Sequence, residues 1–186
     1  VITGFGRLGM PFAAQYFDVI PDMITCAKGL TSGTVPMGAV MIQKNIYEAF
    51  QHGDLKTIDL FHGYTYSAHP LAATAAIATL NVYQQDGLFN NANNLENYWA
   101  EAMHSLKDVG AIIDIRNIGL MAGIEMESKD GKIGSRGYDV FTDAFHNYNL
   151  LIRITSDTIA LSPPLIVEKE HIDQIVDTLK KIILNH

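Results

Sequence analysis

Lys28 is the residue that could most readily take part in a chemical reaction, because it lies where an apolar run ends in a glycine- and serine-rich turn. Residues 23–27 are apolar or β-branched and lie between Pro21 and Gly29, a pattern that predicts a buried strand. Burial disfavours the ammonium form of a lysine, so its amine loses a proton more readily. A neutral amine at a rigid strand end can form a Schiff base with a carbonyl compound such as pyridoxal phosphate. An ordinary surface lysine is the alternative interpretation.

The glycine-rich N-terminal segment is a second candidate, since Gly4, Gly6 and Gly9 match the dinucleotide-binding pattern G-x-G-x-x-G. That fingerprint requires a following helix and an acidic residue that closes the next strand, about 20 residues further on. Asp22 has roughly that separation, but it opens the next predicted strand instead of closing it. The hypothesis of a nicotinamide-dependent enzyme therefore rests on the glycines alone. A structural turn supported by Arg7 is the better interpretation of this segment.

Segment 61–70 is dense in hydroxyl-bearing and aromatic side chains, and it leads into an alanine-rich helix predicted over 71–85. Hydroxyls and free N–H groups directly before a helix suit a phosphate or another anion. Ser67 is equally suited to capping the helix. We interpret His62 and His69 as hydrogen-bonded structural residues and predict no metal, because no cysteine, histidine and aspartate cluster has metal-ligand spacing.

Composition and charge argue against several classes of partner. The formal net charge is −7 and basic residues form no cluster, so we expect no nucleic-acid partner. No run approaches about 18 consecutive apolar residues, so we expect no membrane span. The single cysteine, Cys26, cannot form an internal disulfide, which is typical of a reducing compartment, and we expect a cytoplasmic protein.

Hydrophobic periodicity predicts a mixed α/β chain that divides near residues 86–95, into units of residues 1–90 and 91–186. The polar run Asn90 to Asn94 is interpreted as a break before the next helix. In the second unit, we expect helices on one side of a small sheet. The predicted strands are 23–27, 34–42, 111–116, 120–127, 150–154 and 158–161, and the predicted helices are 12–17, 45–50, 71–85, 95–106, 138–147 and 168–184.

Several segments in this order resemble class III aminotransferases, which are pyridoxal-phosphate enzymes of fold type I, and in particular their omega-aminotransferase branch. The resemblance covers essentially the whole chain. It implies the C-terminal part of the cofactor-binding large domain in 1–90 and a small C-terminal α/β domain in 91–186. It also implies that the glycine-rich segment is a turn that needs no dinucleotide. The segments that carry it are Gly4-Phe-Gly-Arg-Leu-Gly9, Pro21-Asp22, Ala27-Lys28-Gly29, Gly63-Tyr-Thr-Tyr-Ser67 with His69-Pro70, and Pro163-Pro164-Leu165.

The resemblance implies roles for four residues. Lys28 matches the lysine that binds the cofactor covalently and then transfers protons at the substrate carbon. Thr65 matches the threonine that binds the cofactor phosphate of the neighbouring subunit, and Tyr64 would line that neighbour's pocket, which implies a homodimer with shared active sites. Arg153 matches the arginine that binds the substrate carboxylate, which a planar guanidinium can hold bidentately. A solvent-facing strand residue is the alternative for Arg153.

The implied function is transamination, in which an amino group passes from an amine or amino acid to a keto acid such as pyruvate. Ser67-Ala68-His69 departs from the commoner Ser-Gly-His of the family. The family's cofactor-binding aspartate precedes the residues that match Val1, so we expect a fragment of a longer protein that is inactive alone. The alternatives are another class III reaction, such as that of an aminomutase or decarboxylating transaminase, and a non-catalytic dimerisation or scaffold fragment.

Overall fold

The computed structural model describes residues 1–54, 56 and 65–186. Two compact units can be distinguished within it. The first comprises Val1–Phe5 and Met10–Gly87, and the second comprises Gly6–Gly9 and Leu88–His186.

The first unit contains a two-stranded antiparallel ribbon and a small apolar core. Strand β1 (Met23–Ala27) pairs with β2 (Gly38–Ile42), and a 3-10 turn follows β1 at Lys28–Leu30. The helices are α1 (Ala13–Tyr16), α2 (Lys44–Ala49) and α3 (Pro70–Gln85). One cluster of buried residues in this unit comprises Phe5, Cys26, Leu30 and Ala76.

Strand β2 is shorter than predicted, because the start of the apolar run 34–42 belongs to a hydrogen-bonded turn. The Thr31 hydroxyl donates to the carbonyl oxygen of Val35 over 2.6 Å, and the Thr34 hydroxyl donates to that of Thr31 over 2.7 Å. Side-chain hydroxyls that bond to nearby backbone compete with sheet pairing in this way. The prediction that this strand is buried was also wrong, since four of the five residues of β2 are exposed.

The second unit is a four-stranded antiparallel sheet with helices on one face. The strand order is β3-β4-β6-β5, with β3 at Ile112–Ile118, β4 at Met121–Met126, β5 at Arg153–Thr155 and β6 at Thr158–Leu161. The helices are α4 (Leu88–His104), α5 (Ser135–Tyr148) and α6 (Lys169–Asn185). Alternate residues of β4 and β6 are buried, as expected for a sheet covered on one face. The prediction of a mixed α/β chain with a small sheet is confirmed.

Helix α4 corrects the interpretation of Asn90 to Asn94 as a break, since the helix begins at Leu88 and runs through all five residues. Leu88 and Leu95 are seven residues apart on the buried face of the helix. The Asn91 side-chain amide donates to the carbonyl oxygen of Leu165 over 2.7 Å. Tertiary packing and this hydrogen bond outweigh the low helix propensity of asparagine.

The glycine-rich segment forms a packing turn of the second unit. Gly6 and Gly9 have φ values of +96° and +71°, which favour glycine. The carbonyl oxygen of Arg7 accepts a hydrogen bond of 2.9 Å from the Leu120 amide, and the Arg7 guanidinium donates to the carbonyl oxygen of Pro163. In the described residues the helix that follows this turn, α1, has only four residues. The extended helix on which the dinucleotide fingerprint places the pyrophosphate is therefore not formed there.

Replacing Gly119 by alanine is expected to destabilise the second unit. An added Cβ would lie 2.3 Å from the carbonyl oxygen of Arg7 and 2.7 Å from Cα of Leu8, and these backbone atoms cannot rotate away. Overpacking of this kind costs about 1–3 kcal/mol, in addition to about 1–2 kcal/mol for an alanine at positive φ. The midpoint of urea denaturation should therefore fall clearly.

Gly131→Ala is the matched control for this prediction. Gly131 has φ +67°, close to the +52° of Gly119, but no atom of the described residues lies within 4 Å of an added Cβ there. We expect only the smaller conformational effect. Equal midpoints for the two variants would show that backbone conformation, and not packing, explains the glycine at position 119.

Candidate active site

Lys28 lies in a tight turn at the end of β1. Its φ of +54° is in the left-handed region, which residues other than glycine rarely adopt. The carbonyl oxygen of Lys28 accepts hydrogen bonds from the amides of Thr31, at 3.3 Å, and Gly33, at 3.2 Å. Because a left-handed residue costs about 1–2 kcal/mol, the surrounding structure must stabilise this conformation.

Aromatic side chains form the base of this turn. An added Cβ at Gly29 would lie 2.7 Å from Cβ of Phe5, so the backbone after Lys28 packs directly on this ring. The Tyr83 hydroxyl donates to the carbonyl oxygen of Gly29 over 2.6 Å. The rings of Phe5 and Tyr83 stack with centroids 6.2 Å apart, and Phe12 meets Phe5 edge-on at 5.3 Å. These contacts hold the turn against the core of the first unit.

The side chain of Lys28 is exposed, which corrects the expectation that an apolar strand end shields it from water. The strand itself is where the sequence predicted it, but a two-stranded ribbon buries little of either strand. Only Cys26 is buried in β1, and Met23 is 59% exposed. Within the described part of the chain, the Nζ atom of Lys28 has no hydrogen-bond or ion-pair partner. The amine is thus accessible to a reactant.

Thr65 is exposed in the turn that leads to α3, and Tyr64 lies outside the described residues. Ala68 in the same turn has φ +56°. This is the position at which the family named above more often has glycine, the residue that adopts positive φ without strain. The alanine therefore keeps a glycine-like backbone at a cost of about 1–2 kcal/mol.

Arg153 is the first residue of β5, which is an edge strand of the sheet, and it pairs with Ala160 of β6. Its side chain is exposed, and its guanidinium has no partner among residues 1–54, 56 and 65–186. Arg153 belongs to the second unit, whereas Lys28 and Thr65 belong to the first.

Asp157 is a buried carboxylate that the sequence did not single out. It lies in the turn between β5 and β6 and accepts hydrogen bonds from the amides of Gly134, at 2.7 Å, and Gly137, at 2.9 Å. The Ser128 hydroxyl donates to it over 2.8 Å. Burial raises the pKa of Asp157, but these donors and the Arg136 amide together outweigh burial and hold the pKa below its ordinary value. The carboxylate caps the first turn of α5, whose N-cap is a glycine.

Comparison with known proteins settles the family. The model of the class-III aminotransferases matches residues 1–183. The chain belongs to the class-III aminotransferase family. It is 55% identical to an omega-aminotransferase of Caulobacter vibrioides over 183 residues, which are 98% of this chain and 42% of that protein. It is 35% identical to a beta-alanine–pyruvate aminotransferase of Pseudomonas aeruginosa, over 96% of this chain and 40% of that protein. The chain thus spans about two fifths of the length of these relatives.

Solved structures agree with this assignment. An omega-transaminase from Pseudomonas jessenii in complex with PMP superposes with a TM-score of 0.90 at 28% identity, over 100% of this chain and 42% of that chain. An (S)-enantioselective omega-transaminase from Thermomicrobium roseum gives a TM-score of 0.89 at 29% identity, also over 100% and 42%. The prediction of the pyridoxal-phosphate-dependent transferase fold of type I is therefore confirmed.

No helix in the described residues combines the length and the apolar character that crossing a membrane requires. In the same residues, no group of three or more histidine, cysteine, aspartate or glutamate side chains could hold a metal ion.

Proposed function

We propose that the protein containing this chain is an omega-type aminotransferase, which moves an amino group from an amine or amino acid to a keto acid such as pyruvate. The observation that carries the proposal is Lys28, an accessible amine on a strained and well-supported turn, in a chain 55% identical to an omega-aminotransferase. Such an amine fits pyridoxal phosphate, the cofactor of this family. When bound, that cofactor supplies an electron sink for the carbanion formed at the substrate carbon.

Lys28 has two tasks in this proposal. Its Nζ atom would bind the cofactor covalently. Once the substrate amine has displaced it, the free amine would accept the proton from the substrate carbon and deliver it to the cofactor. Both tasks depend on a fixed starting point for the flexible side chain, because orientation contributes strongly to such reactions. The hydrogen bonds of the turn provide that fixed point.

Thr65 and Tyr64 act across a homodimer in this proposal. The Thr65 hydroxyl would donate to the cofactor phosphate held by the partner subunit, and Tyr64 would line the partner's pocket. The exposure of Thr65 supports this role, since its side chain is accessible to another chain. Residues 1–90 would be the C-terminal part of the cofactor-binding large domain and residues 91–186 the small domain. A cytoplasmic location fits the single cysteine of the chain.

The direct test uses the full-length protein. Pyridoxal phosphate is added, the visible spectrum is recorded, and the sample is reduced with borohydride and digested for peptide mapping. We expect a visible absorbance band and a cofactor label on Lys28. A protein with no band and no label at Lys28 would contradict the proposal and would favour a non-catalytic role for this fold.

Arg153→Ala is expected to discriminate between substrates in the full-length enzyme. Charge-assisted hydrogen bonds to a carboxylate contribute about 1.5–3 kcal/mol, so kcat/KM for a donor with a carboxylate should fall about 10- to 100-fold. The measurement is the ratio of kcat/KM for beta-alanine to that for an amine without a carboxylate. Equal losses for both donors would show that Arg153 supports the structure and does not bind the carboxylate.

A further inference from the structure

We propose that Tyr83 is a positioning residue for Lys28, acting through the carbonyl group of Gly29. This inference rests on the function proposed above, because it concerns the amine that binds the cofactor. Tyr83 lies near the end of α3, 54 residues from Gly29 in the sequence, and its hydroxyl donates to the Gly29 carbonyl oxygen over 2.6 Å.

The backbone on both sides of Lys28 is fixed. On the N-terminal side, Ala27 pairs with Gly38 at the end of the ribbon. On the C-terminal side, the carbonyl oxygen of Gly29 accepts the short bond from Tyr83 and a longer one, at 3.3 Å, from the Ser32 amide. The tyrosine bond is the shorter of the two and is the one that comes from outside the turn.

The strain at Lys28 explains why this restraint matters. A non-glycine residue at φ +54° relaxes toward ordinary values unless its neighbours prevent it. A change in φ at Lys28 would redirect the whole side chain, including Nζ. The hydrogen bond from Tyr83 holds the next peptide group in place and so opposes that change.

The aromatic ring and the hydroxyl of Tyr83 can be separated experimentally. The ring stacks on Phe5 at a centroid distance of 6.2 Å and an angle of 27°, and phenylalanine would retain this contact. Tyr83→Phe therefore removes the hydrogen bond while the ring stays in the core. The proposed effect of Tyr83 on Lys28 is transmitted through the carbonyl group of Gly29.

The experiment compares full-length Tyr83→Phe with the wild type. Cofactor-free protein is mixed with pyridoxal phosphate, and the growth of the visible band gives the rate of covalent attachment to Lys28, which borohydride reduction and peptide mapping confirm. We expect this rate and kcat to fall about three- to tenfold, the effect of losing one hydrogen bond. We expect KM for the amino donor to stay within about twofold of the wild-type value, because a residue that acts through Gly29 would leave donor binding unchanged.

Tyr98→Phe is the matched control, since the Tyr98 hydroxyl also donates a 2.6 Å hydrogen bond, to Asp173 in the second unit. Its attachment rate should stay within about twofold of the wild type. A Tyr83→Phe rate within that range overturns the inference, as does an equal fall in both variants. Lower thermal stability of Tyr83→Phe with an unchanged attachment rate also overturns it and assigns Tyr83 a purely structural role. If the wild type itself gives no band and no label at Lys28, the proposed function fails first, and this inference with it.

Discussion

Replacing Lys28 by alanine in the full-length protein should lower kcat for the proposed transamination by at least about 10³-fold. The substitution removes both the covalent attachment point and the group that transfers the proton, and proton transfer by a positioned group contributes about 10²- to 10⁴-fold by itself. Stability should change little, because the amine has no partner within the described part of the chain. Steady-state kinetics, together with borohydride labelling, measure the effect.

Lys44→Ala is the control for this prediction. Lys44 is another exposed lysine of the first unit, and its amine forms a 3.3 Å surface ion pair with Glu48. Exposed pairs of this kind contribute little, so activity should stay within about twofold of the wild type. A Lys28→Ala enzyme with near wild-type activity would exclude the role proposed for this lysine.

Replacing Asp157 by asparagine should lower the free energy of unfolding by about 3 kcal/mol at neutral pH. Hydrogen bonds to a charged acceptor contribute about 1.5–3 kcal/mol each, and an asparagine amide would direct N–H groups at the donors that the carboxylate now satisfies. The affected amides are those of Gly134 and Gly137 at the start of α5. Urea denaturation gives the energy, and faster hydrogen exchange in residues 128–140 should locate the change.

The effect of this substitution should depend on pH. The pKa of Asp157 is lower in the folded than in the unfolded protein. The ionised carboxylate therefore contributes fully to the free energy of unfolding at pH values above the unfolded pKa, which is about 3.9. This contribution is lost as the pH falls through the lower folded pKa. The stability difference between wild type and Asp157→Asn should therefore shrink in acid. Asp173→Asn, a change at an exposed aspartate that accepts a bond from Tyr98, should alter stability by less than about 0.5 kcal/mol. A constant difference across this pH range would contradict the assignment to the ionised carboxylate.

Periodicity located most elements of the fold, because their burial follows one face of a helix or alternate residues of a strand. The limits of β1 and β6 agree with those predicted, and α3 and α6 each differ by one residue at their ends. The errors arose where hydrogen bonds decide the outcome, either between neighbouring residues, as in the turn before β2, or between distant ones. Helix α4 continues through its asparagines because Asn91 bonds to Leu165, 74 residues away, and no local pattern indicates that partner.

Some features of the candidate site could likewise be predicted from the sequence, and others could not. Lys28 could be singled out as a candidate from the sequence, because an apolar run and a glycine-rich turn mark its position and the family resemblance implies its role. The exposure and the positive φ of Lys28 could not be predicted. Both depend on how few strands the ribbon has and on the aromatic side chains that pack under the turn. Asp157 was missed because Ser156-Asp157 between two short strands is typical of an exposed hairpin turn. Its burial depends on α5, which lies elsewhere in the sequence.

The turn at Gly6–Gly9 has a consequence for how the protein is made. Arg7 leaves the ribosome 156 residues before Pro163, whose carbonyl oxygen its guanidinium meets in the second unit. At about 5–20 residues per second, this interval lasts about 8–30 s. During synthesis the Arg7 side chain therefore lacks its Pro163 partner for this interval, and this contact of the second unit can form only after Pro163 has emerged. A chain diluted out of denaturant has no such interval, so Arg7 and Pro163 are available to each other from the start of refolding.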